Sequence, residues 1–213
     1  MKKYIVEFIG TYFLILLIGQ VTIGTTDDVK QLAPFAVGIG LIALVYAGGH
    51  VSAAHYNPAV TLAMLVRGSC KIVDVAPYIA MQIAAAFSAS FTVICLKADA
   101  MESVAAAELH TQKALLAEAL GTFMLVWVIL NVGTAKSLEG NQFYGVAIGA
   151  TVTGMAFTLG SYSGAAFNPA VAVAACVMGL VTWTNLWIFL AANFGAGLLA
   201  AVVFRIVEGS NDD

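Results

Sequence analysis

The chain has 213 residues, 61% of them hydrophobic and only 10% charged, with a formal net charge of -3 and a mean hydropathy of +0.94. A soluble domain carries roughly 25% charged residues, so too few charges remain here to cover a water-exposed surface. A single soluble fold is excluded, no nucleic-acid partner is expected, and an integral membrane protein remains.

Windows of about 20 residues predict six spans, over residues 4–24, 32–49, 75–96, 115–135, 143–160 and 183–207. The first, in MKKYIVEFIGTYFLILLIG, has two lysines before an apolar run, as a signal peptide does. Glu7 interrupts that run and no Ala-x-Ala-like cleavage site follows, so it reads as a span. Two further apolar runs, 58–66 and 169–178, are too short to cross a hydrocarbon core of about 30 Å. They are expected to enter without crossing.

Lys2, Lys3, Arg67, Lys71, Lys136 and Arg205 fall on the side of the termini, against Lys30, Lys97 and Lys113 opposite. The positive-inside bias then predicts that both termini are cytoplasmic, with the plasma membrane, as in a bacterial inner membrane, the expected location. Residues 97–113 form the longest connection and have room for a short helix. Cys70, Cys95 and Cys176 have neither metal nor redox spacing, and no metal or cofactor is expected.

Asn-Pro-Ala-Val occurs twice, at Asn57, Pro58, Ala59, Val60 and at Asn168, Pro169, Ala170, Val171, 111 positions apart. The same offset pairs Glu7 with Glu118, Gly10 with Gly121, Gly38 with Gly149, Ser52 with Ser163 and Gly68 with Gly179. The chain therefore reads as one domain, 1–213, made by duplication, with repeat one over about 1–97 and repeat two over about 113–208. A unit with an odd number of spans inserts its second copy upside down, giving an inverted repeat.

Asn at an N-cap followed by Pro at the first helical position is a favoured helix start. Gly68 and Gly179 are the expected stops. Half-helices entering from opposite faces would meet N-terminus to N-terminus at mid-membrane. Non-helical backbone survives there only when buried in protein or lining a water-filled cavity. Each Asn could accept from its own helix and turn its amide toward the lumen, while the helix dipoles add positive ends at the same point. Such a field suits the oxygen of a neutral solute and repels cations.

On these motifs the sequence resembles the aquaporin and glycerol-facilitator family, the major intrinsic proteins. EFIGT and EALGT open the halves, and SAAHYNPAV and SGAAFNPAV follow the second span of each. The resemblance implies an all-α membrane fold, aquaporin-like, with six transmembrane helices plus two re-entrant half-helices. It also implies one pore per subunit, a homotetramer in the lipid bilayer, and a selectivity filter on the extracellular side of the paired Asn residues. No enzyme activity is expected: GSYSG has Tyr162 where a nucleophile elbow needs Ser, and HExxH is absent.

The family usually places Arg after the second Asn-Pro-Ala, where this chain has Val171. Counting without gaps, the other filter positions become Val37, Ala156 and Ala165. Such a filter lacks charge and aromatic rings. A shift of the second or fifth span would instead bring in Phe35 or Phe157. The resulting expectation is a passive channel for water and small neutral solutes, such as ammonia, glycerol, urea or an uncharged metalloid acid, with protons and ions excluded at the paired motifs. The alternatives are a strictly water-selective pore and an ion-coupled secondary transporter.

Glu7 and Glu118 lie in apolar spans, where an ionisable residue is a functional candidate. Their equivalent positions favour a structural job, holding the re-entrant loops, over a proton relay. His55 is expected to line the pore or brace its loop. Gln82 and Asn193, again 111 apart, are expected to tie the loops to the third and sixth spans. Tyr56 and Phe167 are expected to pack or to narrow the lumen. The spacings GVAIG (145–149) and GSYSG (160–164) fit small-residue helix crossings.

Overall fold

The computed structural model describes residues 1–208; the final residues of the single channel domain expected over 1–213 lie outside the described part. Its long helices are α1 (Lys2–Thr22), α2 (Asp27–Ser52), α4 (Ile72–Leu96), α6 (Thr111–Thr134), α7 (Tyr144–Ser163) and α9 (Leu186–Glu208). Between them lie two short ones, α3 (Pro58–Arg67) and α8 (Pro169–Val177), and a single turn, α5 (Ala98–Met101), in the longest connection. No strand occurs among the described residues.

Five helices are long and apolar enough to cross a membrane. The sixth expected span, α7, has 20 residues, about 30 Å at 1.5 Å per residue, but its glycines and threonines dilute its apolar content. It packs into the bundle on α2 and α6, as α2 packs on α1 and α7.

The two halves build matching arrangements. In the first, α1 lies on α2 and α4; in the second, α6 lies on α7 and α9; α2 and α7 join the halves. The short helices cross over, with α3 packing chiefly on α9 and α8 on α4. Small residues permit this. Ala86 and Ala89 of α4 meet Ala170 and Ala174 of α8, and Ala63 of α3 meets Ala200 and Ala201 of α9.

Polar ties at the ends of the bundle define two faces. On one, here called proximal, Lys3 Nζ and Tyr4 Oη reach Asp74 at the start of α4. There too Arg67, ending α3, donates to Thr134, ending α6, and Arg205 donates to the Val66 carbonyl. On the opposite, distal face, the 97–110 connection is pinned by Ala107 N–H donating to the Leu180 carbonyl beyond α8. So α3 and α8 run out to opposite faces.

The predicted stops hold in different ways. Gly68 caps α3 in the left-handed region at φ 87°, whereas Met178 caps α8 and Gly179, at φ 74°, follows it. The two Gly-spaced motifs also part company. A Cβ on Gly149 would strike the Gly38 carbonyl and Ile42, and one on Gly145 would lie 2.8 Å from the Tyr46 ring. That is a close α2/α7 crossing. Gly160 and Gly164 make none: a Cβ on Gly160 would only touch Ala165, and Gly164 is the left-handed cap of α7 at φ 86°.

The α2/α7 crossing yields a direct expectation. Gly38→Ala would place a methyl 2.7 Å from the Gly149 carbonyl and against Thr153, costing about 1–3 kcal/mol by overpacking. Thermal unfolding in detergent should show a lowered midpoint, whereas Gly133→Ala, which meets open space, should leave it near that of the parent.

Candidate functional site

The site is built where α3 and α8 begin. Asn57 caps α3 with Oδ1 accepting from Ala59 N–H at 2.9 Å and Val60 N–H at 3.5 Å. Asn168 caps α8 by accepting from Ala170 N–H at 2.9 Å. Pro58 and Pro169 occupy the first helical positions, where their missing N–H costs nothing.

Each amide nitrogen does more than face a lumen. Asn57 Nδ2 donates to the Phe167 carbonyl at 2.9 Å, and Asn168 Nδ2 donates to the Tyr56 carbonyl at 2.8 Å. Each loop is thereby clamped by the other half's cap, leaving one N–H per amide for the cavity.

The loops leading into these caps are strained in the same way. Ala53, Ala54 and Tyr56 have φ of 64°, 49° and 49°, and Gly164, Ala165 and Phe167 have 86°, 56° and 46°. Non-glycine residues in this region cost of order 1 kcal/mol or more each and persist only when their surroundings over-determine them.

Two buried carboxylates supply that determination. Glu7 Oε1 accepts from Ser52 Oγ at 2.7 Å and His55 N–H at 2.9 Å, while Oε2 accepts from Tyr56 N–H at 2.7 Å and Gln82 Nε2 at 2.8 Å. Glu118 repeats the pattern with Ser163 Oγ at 2.7 Å, Ala166 N–H at 2.9 Å and Phe167 N–H at 2.7 Å. With the loop N–H groups drawn to the carboxylates, the loop groups left for the central cavity are carbonyls.

Gln82 and Asn193 make different contacts. Gln82 Nε2 reaches both Glu7 and Thr61 Oγ1. Asn193 lies beside Glu118, but its Oδ1 accepts from Thr122 and its Nδ2 has no hydrogen-bond partner. His55 Nδ1 lies 3.1 Å from Thr61 Oγ1 and its ring packs on Tyr78, while the residue lines the central cavity. The rings of Tyr56 and Phe167 pack against Gly10 and Gly121, and their carbonyls take the Asn amides.

Three cavities follow one another through the bundle. A distal one of about 470 Å³ is lined by Val37, Ala156, Ala165 and Val171. It meets a central one of about 50 Å³, holding Asn57, Asn168 and His55, at Ile18, Val37, Val152, Ala165 and Val171. The central cavity meets a proximal one of about 590 Å³ at Val45, Ile129 and Ile148. At about 30 Å³ per water, the middle admits one or two waters. Phe35 and Phe157 form an edge-to-face pair, largely exposed at 47% and 62%, and only Phe157 adjoins the distal cavity. No cluster of three metal-ligating side chains occurs among the described residues.

Ser52, Ser163 and Thr61 were not singled out for a role by sequence reasoning. Two signals were available: the serines recur at the repeat offset, and Thr61 follows Asn57 by one helical turn.

A fold of six long helices around two opposed half-helices, enclosing a narrow path, defines a membrane channel. Residues 1–204 match the family model described as major intrinsic protein, and the chain belongs to that family, whose members are passive channels for water or small solutes rather than enzymes. It is 32% identical to glycerol uptake facilitator protein-like 6 of Lactiplantibacillus plantarum, over 100% of both chains. It is also 32% identical to aquaporin NIP1-4 of Oryza sativa subsp. japonica, over 100% of this chain and 79% of that one. Aquaporin AqpM of Methanothermobacter thermautotrophicus is 30% identical over 96% of each. Among solved structures, the aquaglyceroporin from Plasmodium falciparum shares the fold with a TM-score of 0.82, at 19% identity over 97% of this chain and 96% of that one.

The carboxylate anchors carry the second expectation. Glu118→Gln replaces one acceptor oxygen by a donor facing Phe167 N–H or Ser163, and hydrogen bonds to charged groups contribute about 1.5–3 kcal/mol each. The variant should melt lower in detergent and conduct less, with Glu118→Ala more severe than Glu118→Gln on both measures.

Proposed function

We propose that the chain is a passive channel for water and small neutral solutes such as ammonia, glycerol, urea or an uncharged metalloid acid, with Val37, Ala156, Ala165 and Val171 as its outer filter. The observation that carries this reading is the distal cavity: its quartet has no charge and no aromatic ring, and it opens directly onto the paired Asn caps. Asn57 and Asn168, with Pro58, Ala59, Pro169 and Ala170 setting their helices, present the remaining amide N–H groups and two positive helix ends, each about half a charge. Cations are repelled there, and the oppositely oriented waters on either side interrupt proton transfer.

Glu7 and Glu118 are assigned to loop support. Glu7 accepts from Ser52, His55, Tyr56 and Gln82, and Glu118 from Ser163, Ala166 and Phe167, an engagement that disfavours an ion-coupling role and with it a secondary transporter. The chain acts as a single channel domain of two inverted repeats, 1–97 and 113–208. It sits in the plasma membrane, as in a bacterial inner membrane, with the proximal face and both termini cytoplasmic, and assembles as a homotetramer.

A strictly water-selective pore is the second reading, favoured by the small volume of the central cavity. Osmotic shrinkage of proteoliposomes separates the two. Water and solute fluxes linear in their gradients and indifferent to sodium or proton gradients support the proposal; water flux without any solute flux overturns it. Val171→Arg should lower glycerol or urea flux more than water flux, by about tenfold or more, which ~1.4 kcal/mol of added barrier suffices to produce.

A further inference from the structure

We infer that the size limit of this channel is set by Val45 and Ile148 on the proximal side of the Asn pair, and not by the distal quartet. The inference rests on the channel reading above.

The repeat supplies the comparison. At the offset of 111, Val37 corresponds to Ile148, Ala156 to Val45, Ala165 to Ala54 and Val171 to Val60. Each face of the path thus has its own quartet, and the two differ at two positions. The proximal one has Ile where the distal one has Val, and Val where the distal one has Ala. Both exchanges make the proximal ring bulkier.

The cavities agree with that count of carbons. Val37, Ala156 and Ala165 are partly exposed and border about 470 Å³ of open space. Val45 and Ile148, 3% and 8% exposed, belong to the same buried cluster as Leu14, Leu41 and Leu125. With Ile129 they are the residues shared between the central cavity of about 50 Å³ and the proximal one. A solute leaving the centre for the proximal side therefore passes between three branched side chains. The distal junction is lined by Ile18, Val37, Val152, Ala165 and Val171; there Ile18 matches Ile129 and Val37 matches Ile148, while Ala156, the match of Val45, borders only the wider distal cavity.

The test is an exchange of side chains between the quartets in the full chain, reconstituted in proteoliposomes, with water, urea, glycerol and erythritol as probes. Val45→Ala with Ile148→Val copies the distal side chains onto the proximal ring. It should raise erythritol and glycerol flux relative to water by about tenfold or more, the scale on which methylenes in an apolar site discriminate. Val37→Ala should shift the ratios less than Val45→Ala with Ile148→Val does. Val37→Ile with Ala156→Val should lower all fluxes only modestly, because a second equal barrier in series adds to the first.

Ile148→Val alone, which removes one methylene, gives the same direction of change should the double variant fail to fold. A size dependence that follows Val37 and ignores Val45 and Ile148 overturns the inference and leaves the channel reading standing. A silent parent with a conducting Val45→Ala/Ile148→Val variant overturns the open-channel reading and supports the proximal constriction. Silence in the parent and in every variant overturns both.

Discussion

Everything at the centre of this protein depends on keeping irregular backbone satisfied where no water is available to do it. An unbonded N–H or C=O in a hydrocarbon-like setting costs several kcal/mol, and the loops before the two half-helices contain positive-φ residues that no helix could hold. Glu7 and Glu118 meet that demand with acceptor-only carboxylate oxygens drawn to successive loop N–H groups. The crossed bonds from Asn57 and Asn168 then engage one loop carbonyl in each half, those of Phe167 and Tyr56. Neither loop is complete without the other. This reciprocity explains why the motif occurs twice: a single half would leave its cap without the partner carbonyl and its short helix without the long helix of the other half on which it packs.

Packing makes the same point. The half-helices approach their partners closely where alanines and glycine meet. Gly197 of α9 is such a contact, since a Cβ there would lie 3.3 Å from the Ala59 carbonyl. Gly10 and Gly121 are hollowed for the rings of Tyr56 and Phe167, so that these side chains turn outward from the path and their carbonyls turn toward it. Small residues here are the means by which backbone, rather than side chain, comes to line the cavity.

Much of this was legible in the sequence because polar residues are expensive in an apolar chain and their positions are therefore informative. The Asn-Pro caps, the two carboxylates and Gln82 all stand out against their surroundings and recur at one offset. The six spans were legible to within a few residues, although the helical start of α2 ahead of Pro34 and the extension of α7 to Ser163 were not, because helix ends follow local hydrogen bonding more than hydropathy. Asn193 is less legible: the offset that pairs it with Gln82 is silent about its other contacts, and it accepts from Thr122 Oγ1 while lying beside Glu118. GSYSG failed likewise, since spacing alone does not distinguish a crossing from a helix cap. The narrow part of the path was the least legible. Val45 and Ile148 are ordinary apolar residues among many, and only packing separates those that face a cavity from those that face lipid.

The two halves are alike in scaffold and unlike in lining, and that difference has a physical logic. Repeat one carries His55 and Thr61 where repeat two carries Ala166 and Ala172. The imidazole, Thr61 and Gln82 therefore form a bonded series beside Glu7 that has no counterpart beside Glu118. On the distal side the cavity is wide enough for a solute to keep much of its hydration, so apolar walls of Val and Ala cost little. On the proximal side the space closes between Val45, Ile129 and Ile148, and a molecule passing there loses water that those walls cannot replace. His55 lines the central cavity that these residues close and offers a polar group there. The duplication provides one geometry twice, and the departures from it place the polar side chain in the cavity with the least room.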